Sequence, residues 1–132
     1  EFHAKHKYIF MSHSQSLAKA LGNWLAENNK LAHHELEANY LAKMMEVLKK
    51  KATRKSHANT LSHIQGYLKR SLDQYDKQEL NEVIDEYRNG LVPLIVPITL
   101  LRHHFRKCPH PYIANTYYMQ PHPSEMMLLN SL

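Results

Sequence analysis

Apolar residues recur along this chain at three- and four-residue intervals, and no segment alternates cleanly with period two. That pattern predicts helices throughout. Phe2 to Met11 reads as a first helix, with a polar break at Ser12-His13-Ser14. A second covers about Ser14 to Glu27, with Leu17, Leu21, Trp24 and Leu25 on one face, and Asn28-Asn29-Lys30 turns the chain. A third runs from about Ala32 to Ala52 behind Leu36, Tyr40, Met44, Val47 and Leu48. It closes on Lys49-Lys50-Lys51, where positive charge suits the negative end of the helix dipole. A fourth, about Ser56 to Leu72, carries a stripe of Leu61, Ile64, Leu68 and Leu72.

The fifth helix has the clearest start signal, because Asp76-Lys77-Gln78-Glu79 has capping-box spacing with Asp76 as cap. Leu80, Val83, Ile84 and Tyr87 form its buried stripe, and Gly90 reads as its terminator. The sixth is expected to start near Pro93, with Pro97 in its first turn or kinking it, and Leu94, Ile98, Leu101 and Phe105 aligned. Pro109 and Pro111 end it, and a short helix is expected over Tyr112 to Tyr118. Pro121 and Pro123 then direct a tail holding Met126 to Leu129. The fold expected is all-α, a single compact bundle of about six to seven helices, with residues 1–132 as one domain.

Composition agrees with a packed core and narrows the chemistry. Of 132 residues, 43% are hydrophobic and 22% charged, too apolar for a disordered chain. A chain of this length buries roughly two thirds of its unfolded surface and needs no disulfides. One cysteine, Cys108, excludes a disulfide framework, a cysteine-based zinc site and a self-contained iron–sulfur cluster. Three glycines argue against glycine-rich phosphate loops. No targeting segment is visible, and the longest apolar stretch, Leu91 to Leu101, carries two prolines and falls short of the ~20 residues of a membrane span. The expectation is a cytoplasmic protein with no membrane partner and no cofactor. The missing initiator Met predicts an excised domain or a processed product.

Charge sharpens the picture through its distribution. The net charge is +5 with eleven histidines counted neutral. From Lys43 to Arg70 eight Lys/Arg stand against Glu46 alone, and from Asp73 to Glu86 six acids stand against Lys77 alone. One side of the molecule is therefore expected to be basic and another acidic. Anionic partners suit the basic side. On the fourth helix Asn59, His63, Gly66 and Arg70 fall in one sector at 100° per residue, with Tyr67 beside them. Such a strip can grip phosphate through Arg, read a base edge through Asn and stack through Tyr or His. His57 projects toward the apolar stripe and reads as a core histidine. Arg102, His103, His104, Arg106 and Lys107 form a second basic cluster, in which His103, Arg106 and Thr99 share a face.

A metal reading has less to work with. His3 and His6 have i,i+3 spacing, but a zinc site needs further ligands, no HExxH signature exists, and carboxylates are absent around His13, His63, His103 and His104. Cys108 between Lys107 and Pro109 lacks an evident catalytic partner. Arg88 leaves the buried stripe, free to meet a ligand or an acidic neighbour.

Several motifs, in order, resemble the YbgA-like domain, a bacterial family of unknown function. They are Phe2-His3-x-x-His6-Lys7-Tyr8 and Met11-x-His13-Ser14, then His57-x-Asn59-x-Leu61-x-His63-x-x-Gly66-Tyr67-x-Lys69. Tyr87-Arg88-x-Gly90-x-x-Pro93-Leu94-Ile95-x-Pro97 through Leu100-Leu101-x-His103-His104 follows, then Tyr112, Tyr118, Pro121 and Pro123. The resemblance spans essentially the whole chain and departs from it at Thr116, where a glutamine is expected. It implies a domain that stands alone or follows a domain similar to thiouracil desulfidases, whose iron–sulfur cysteines this chain lacks. The helical domain is then the RNA-binding part that presents thiolated tRNA.

The leading expectation is therefore an RNA-binding helical module for tRNA or another structured RNA, with a desulfidase-like domain or protein as a possible partner and catalysis elsewhere. Lys49, Lys50, Lys51, Arg54, Lys55, Lys69 and Arg70 are expected on phosphates, with Asn59, His63, Tyr67, Arg88, His103 and His104 on base or ribose, and Arg102 and Arg106 in support. Two alternatives stay open. One is an enzyme or metal-dependent small-ligand protein built on His3, His6, His13, His63 and His103. The other is a protein-interaction domain docking through its acidic fifth helix.

Overall fold

The computed structural model describes residues 2–120, and these form seven α-helices and two short 3₁₀ turns with no strand among them. The helices are α1 (Phe2–His13), α2 (Gln15–Glu27), α3 (His33–Leu48), α4 (Arg54–Gln65), α5 (Gln74–Arg88), α6 (Ile95–Lys107) and α7 (Pro111–Ala114). The 3₁₀ turns cover Gly66–Leu68 and Tyr117–Met119. The all-α expectation holds. Pro121, Pro123 and the Met-Leu tail lie outside the described residues. No described helix is long and apolar enough to cross a membrane.

α4 is the central element and packs against α1, α5 and α6. Its buried face is His57, Ala58, Thr60, Leu61 and Ile64, and Leu80, Ile84, Tyr87, Ile98 and Leu101 meet it from α5 and α6. Tyr8, Phe10 and Met11 of α1 join the core, as do Ala18 and Leu21 of α2 and Ile113, Tyr118 and Met119 beyond α6. By contrast, Val47 is the one fully buried residue of α3, and Leu41 and Met45 are exposed.

Several helix ends depart from the expectation, and local hydrogen bonds account for some of them. α1 runs two residues further, through Ser12, whose hydroxyl donates to the Ile9 carbonyl at 2.7 Å and is buried without loss. Ser14 caps α2, accepting from Leu17 N–H at 3.2 Å. α3 stops at Leu48, before the lysine triplet, and His13 Nδ1 donates to the Lys50 carbonyl at 2.7 Å just past that end. α4 starts earlier than expected because Thr53 and Ser56 form a reciprocal capping box.

α4 also ends earlier. At Gly66 the backbone tightens into a 3₁₀ turn, which fits the weak helix propensity of glycine. A Cβ at Gly66 would meet nothing within 4 Å, so packing does not demand glycine there. The tightening carries Lys69 and Arg70 off the straight α-helical sector that joins them to Asn59 and His63 in sequence.

α5 is capped by Asp73 rather than Asp76, with Asp73 Oδ1 accepting from Asp76 N–H at 2.8 Å. The Asp76 carboxylate is thereby free of capping duty. At the other end Gly90, at φ 78°, is the predicted terminator. Its N–H reaches the Tyr87 carbonyl and Leu91 N–H reaches Glu86, the paired bonds of a Schellman motif. Pro97 sits in the first turn of α6, where its missing N–H has no helical partner to lose. The single helix expected over Tyr112 to Tyr118 is instead α7 and the second 3₁₀ turn, split at Asn115-Thr116. Thr116, the residue that departs from the family pattern, is fully buried and donates to the Lys5 carbonyl at 3.4 Å.

Candidate nucleic-acid interface

The residues expected to contact RNA separate into groups with different local chemistry. One group gathers where α6, α7 and the end of α4 meet. The rings of Tyr67 and His110 lie 4.5 Å apart, and Tyr112 lies 6.3 Å from Tyr67, nearly parallel at 20°. Tyr8 hydroxyl donates to the Tyr67 oxygen at 2.9 Å, and burial with this bond raises the Tyr8 pKa, so the donor stays protonated. Tyr67 is thus held half-buried while Tyr112 is 61% exposed. His110 is fixed as the α7 cap, its Nδ1 accepting from Tyr112 N–H at 3.2 Å.

His110 also lines a depression of about 440 Å³ with Arg102, Phe105, Arg106, Pro109, Ile113, Ala114, Met119 and Gln120. Arg102 and Arg106, four apart on α6, are both exposed at its rim. Cationic and aromatic groups therefore join through one histidine. His110 and Tyr112 were not among the expected contact residues. The signal for them is local: Pro109-His110-Pro111-Tyr112 puts two rings on a proline-stiffened segment beside Arg106-Lys107.

Arg106 reaches a second depression of about 600 Å³, with Glu79, Val83, Thr99 and His103 on its walls. The shared face of Thr99, His103 and Arg106 expected from helical spacing is present. Lys69 lines a smaller recess of about 260 Å³ with Gln65, Gly66, Lys77 and Asn81. Lys50, Lys51, Lys55, His63 and Arg70 are exposed, and Asn59 is half-buried.

Other expected contacts are already committed. Arg54 donates to the Tyr87 carbonyl at 3.3 Å and stands 5.4 Å over the Tyr87 ring. It ties the start of α4 to the end of α5 and is half-buried. Arg88 pairs with Asp85, one turn back on the acidic α5, and Lys49 pairs with Glu46 at 3.2 Å. His104 is only 6% exposed, so it does not present itself to a base. Adjacent helical side chains diverge by 100°: His103 faces out, and His104 continues the Ile98–Leu101 face inward.

His57 is the core histidine expected. It is 1% exposed, and its Nδ1 lies 2.7 Å from the Tyr118 hydroxyl. Burial, aided by His13, lowers its pKa to about 4, so it is neutral at pH 7.

The histidines of the metal reading do not assemble. His3 Nδ1 is hydrogen-bonded with Tyr40 hydroxyl at 2.9 Å, and burial lowers its pKa. His6 Nδ1 donates to the Phe2 carbonyl at 2.8 Å, and His13 is bound to Lys50. Among the described residues no metal-sized group includes His3, His6, His13, His63 or His103.

Residues 7–123 match the model of a family described as a protein of unknown function, DUF1722. The chain is also 28% identical over 132 residues to the uncharacterized protein YbgA of Escherichia coli (strain K12), covering 99% of this chain and 78% of that one. No solved structure matches it.

Proposed function

The chain belongs to the DUF1722 family, and we propose that it serves as an RNA-binding module, with tRNA as its ligand, acting in the cytoplasm. The observation that carries this reading is the continuity of the Tyr67–His110–Tyr112 rings with the Arg102–Arg106 depression through His110. Unstacked bases bind aromatic faces, and arginines beside them take the phosphates. Lys69, Arg70 and the lysines at the α3–α4 joint add long-range attraction. The resemblance to domains that follow desulfidase-like domains gives the RNA a role: the module presents thiolated tRNA to a catalytic centre on another domain or protein.

Binding of total tRNA, measured by gel shift across a salt series, tests the reading. Neutralising about four phosphates should weaken binding roughly a hundredfold over a fourfold rise in salt. Affinity that is absent, or flat across that range, would refute it. Equal affinity for thiolated and unthiolated tRNA would remove the desulfuration role and leave general RNA binding.

A further inference from the structure

α5 and α6 bring together three side chains from two distant stretches of the sequence. Asp76 and Glu79 lie one turn apart on α5, and His104 comes from the last turn of α6. One oxygen of each carboxylate and one ring nitrogen of His104 all lie within 4.8 Å of one another. His104 is 94% buried by its 6% exposure, and its Nε2 has no hydrogen-bond partner among the described residues. A buried imidazole nitrogen left unpaired is costly. A cation bound between it and the two carboxylates removes that cost.

We propose that Asp76, Glu79 and His104 bind a divalent first-row transition metal, with zinc the best fit. Two carboxylates and a neutral imidazole balance the charge of a divalent ion. The imidazole selects against magnesium and calcium, and the lack of thiolate selects against copper(I). Oxygen and nitrogen ligands on zinc stand about 3.4 Å apart in a tetrahedral shell, so the set needs only a small closure. Glu79 is exposed and free to supply it, whereas His104 is held by the core. The positive end of the α5 dipole and the negative end of the α6 dipole meet here and offset each other.

Three protein ligands leave at least one coordination position for water or an anionic oxygen. Glu79 also stands on the wall of the depression that holds His103 and Arg106. The ion would therefore sit at the edge of a surface suited to an anionic ligand. This site is independent of RNA binding, and its test does not require RNA.

The full chain, freed of metal by chelation, would be titrated with Co²⁺ followed by its visible absorption, and with Zn²⁺ by calorimetry. One ion per chain is expected. Glu79→Gln, an exposed and nearly isosteric change, and Asp76→Asn should each weaken binding by roughly a hundredfold or more with the helical circular dichroism unchanged. His103→Gln should leave binding intact. Absence of one-to-one binding would overturn the site, as would binding that survives both carboxamide changes. Binding lost instead in His3→Gln or His6→Gln would also overturn it, by placing the ion on surface histidines. His104→Gln adds the third ligand, and the carboxamide variants decide the matter if that chain fails to fold.

Discussion

Acid should unfold this protein through His57 before its carboxylates are exhausted. The imidazole is buried against Tyr118 and Tyr87, with ring centroids 5.9 and 6.4 Å away. Its pKa falls from the usual 6.5 to about 4, mainly through burial. The unfolded chain therefore binds a proton that the folded chain refuses as pH drops through 6.5 toward 4. The neutral histidine's contribution is fully present above pH 6.5 and lost across that window. The gap corresponds to roughly 3 kcal/mol in full, of which about 2 kcal/mol is lost by pH 5. Urea denaturation at pH 8, 6 and 5 measures it, with His57→Gln as the comparison. That variant should be less stable at pH 8 but lose about 2 kcal/mol less than the native chain on going to pH 5. His3, whose pKa is also lowered, acts in the same direction in both proteins and cancels. Parallel pH dependence in the two proteins would refute the assignment.

Arg54→Ala should lower stability by about 1–2 kcal/mol in thermal or urea melts, because it removes both the bond to the Tyr87 carbonyl and the ring contact. Its tRNA affinity should change far less than that of Arg102→Ala or Arg106→Ala, and the reverse order would return Arg54 to the interface. Tyr112→Ala should leave the melting temperature nearly unchanged, since the ring is mostly exposed, and weaken tRNA binding by about 1–3 kcal/mol if a base stacks there.

Helix identity was legible because it depends on local spacing. The stripe of α4, the face of α5 and the terminator Gly90 follow from residues a few positions apart, and the inward turn of His57 follows from the same 3.6-residue period. Helix ends were less legible, because competing caps lie within a few residues of each other. Asp73 and Asp76 are both good cap residues, and Asp73 takes the role. At Gly66 the period itself changes, so a strip drawn at 100° per residue fails beyond it.

The sequence alone thus determined an all-α chain with a basic stretch followed by an acidic one. Where individual cations stand was decided by tertiary structure: Arg54 is tied to the end of α5, while Arg102 and Arg106 stand at the rim of a depression. The same holds for the histidines. Spacing along one helix brings His3 near His6 and offers no carboxylate, but α5 laid against α6 places Asp76 and Glu79 beside His104 across 25 or more residues. Periodicity encodes which face of a helix is buried, whereas the partner of that face is set by how the helices pack.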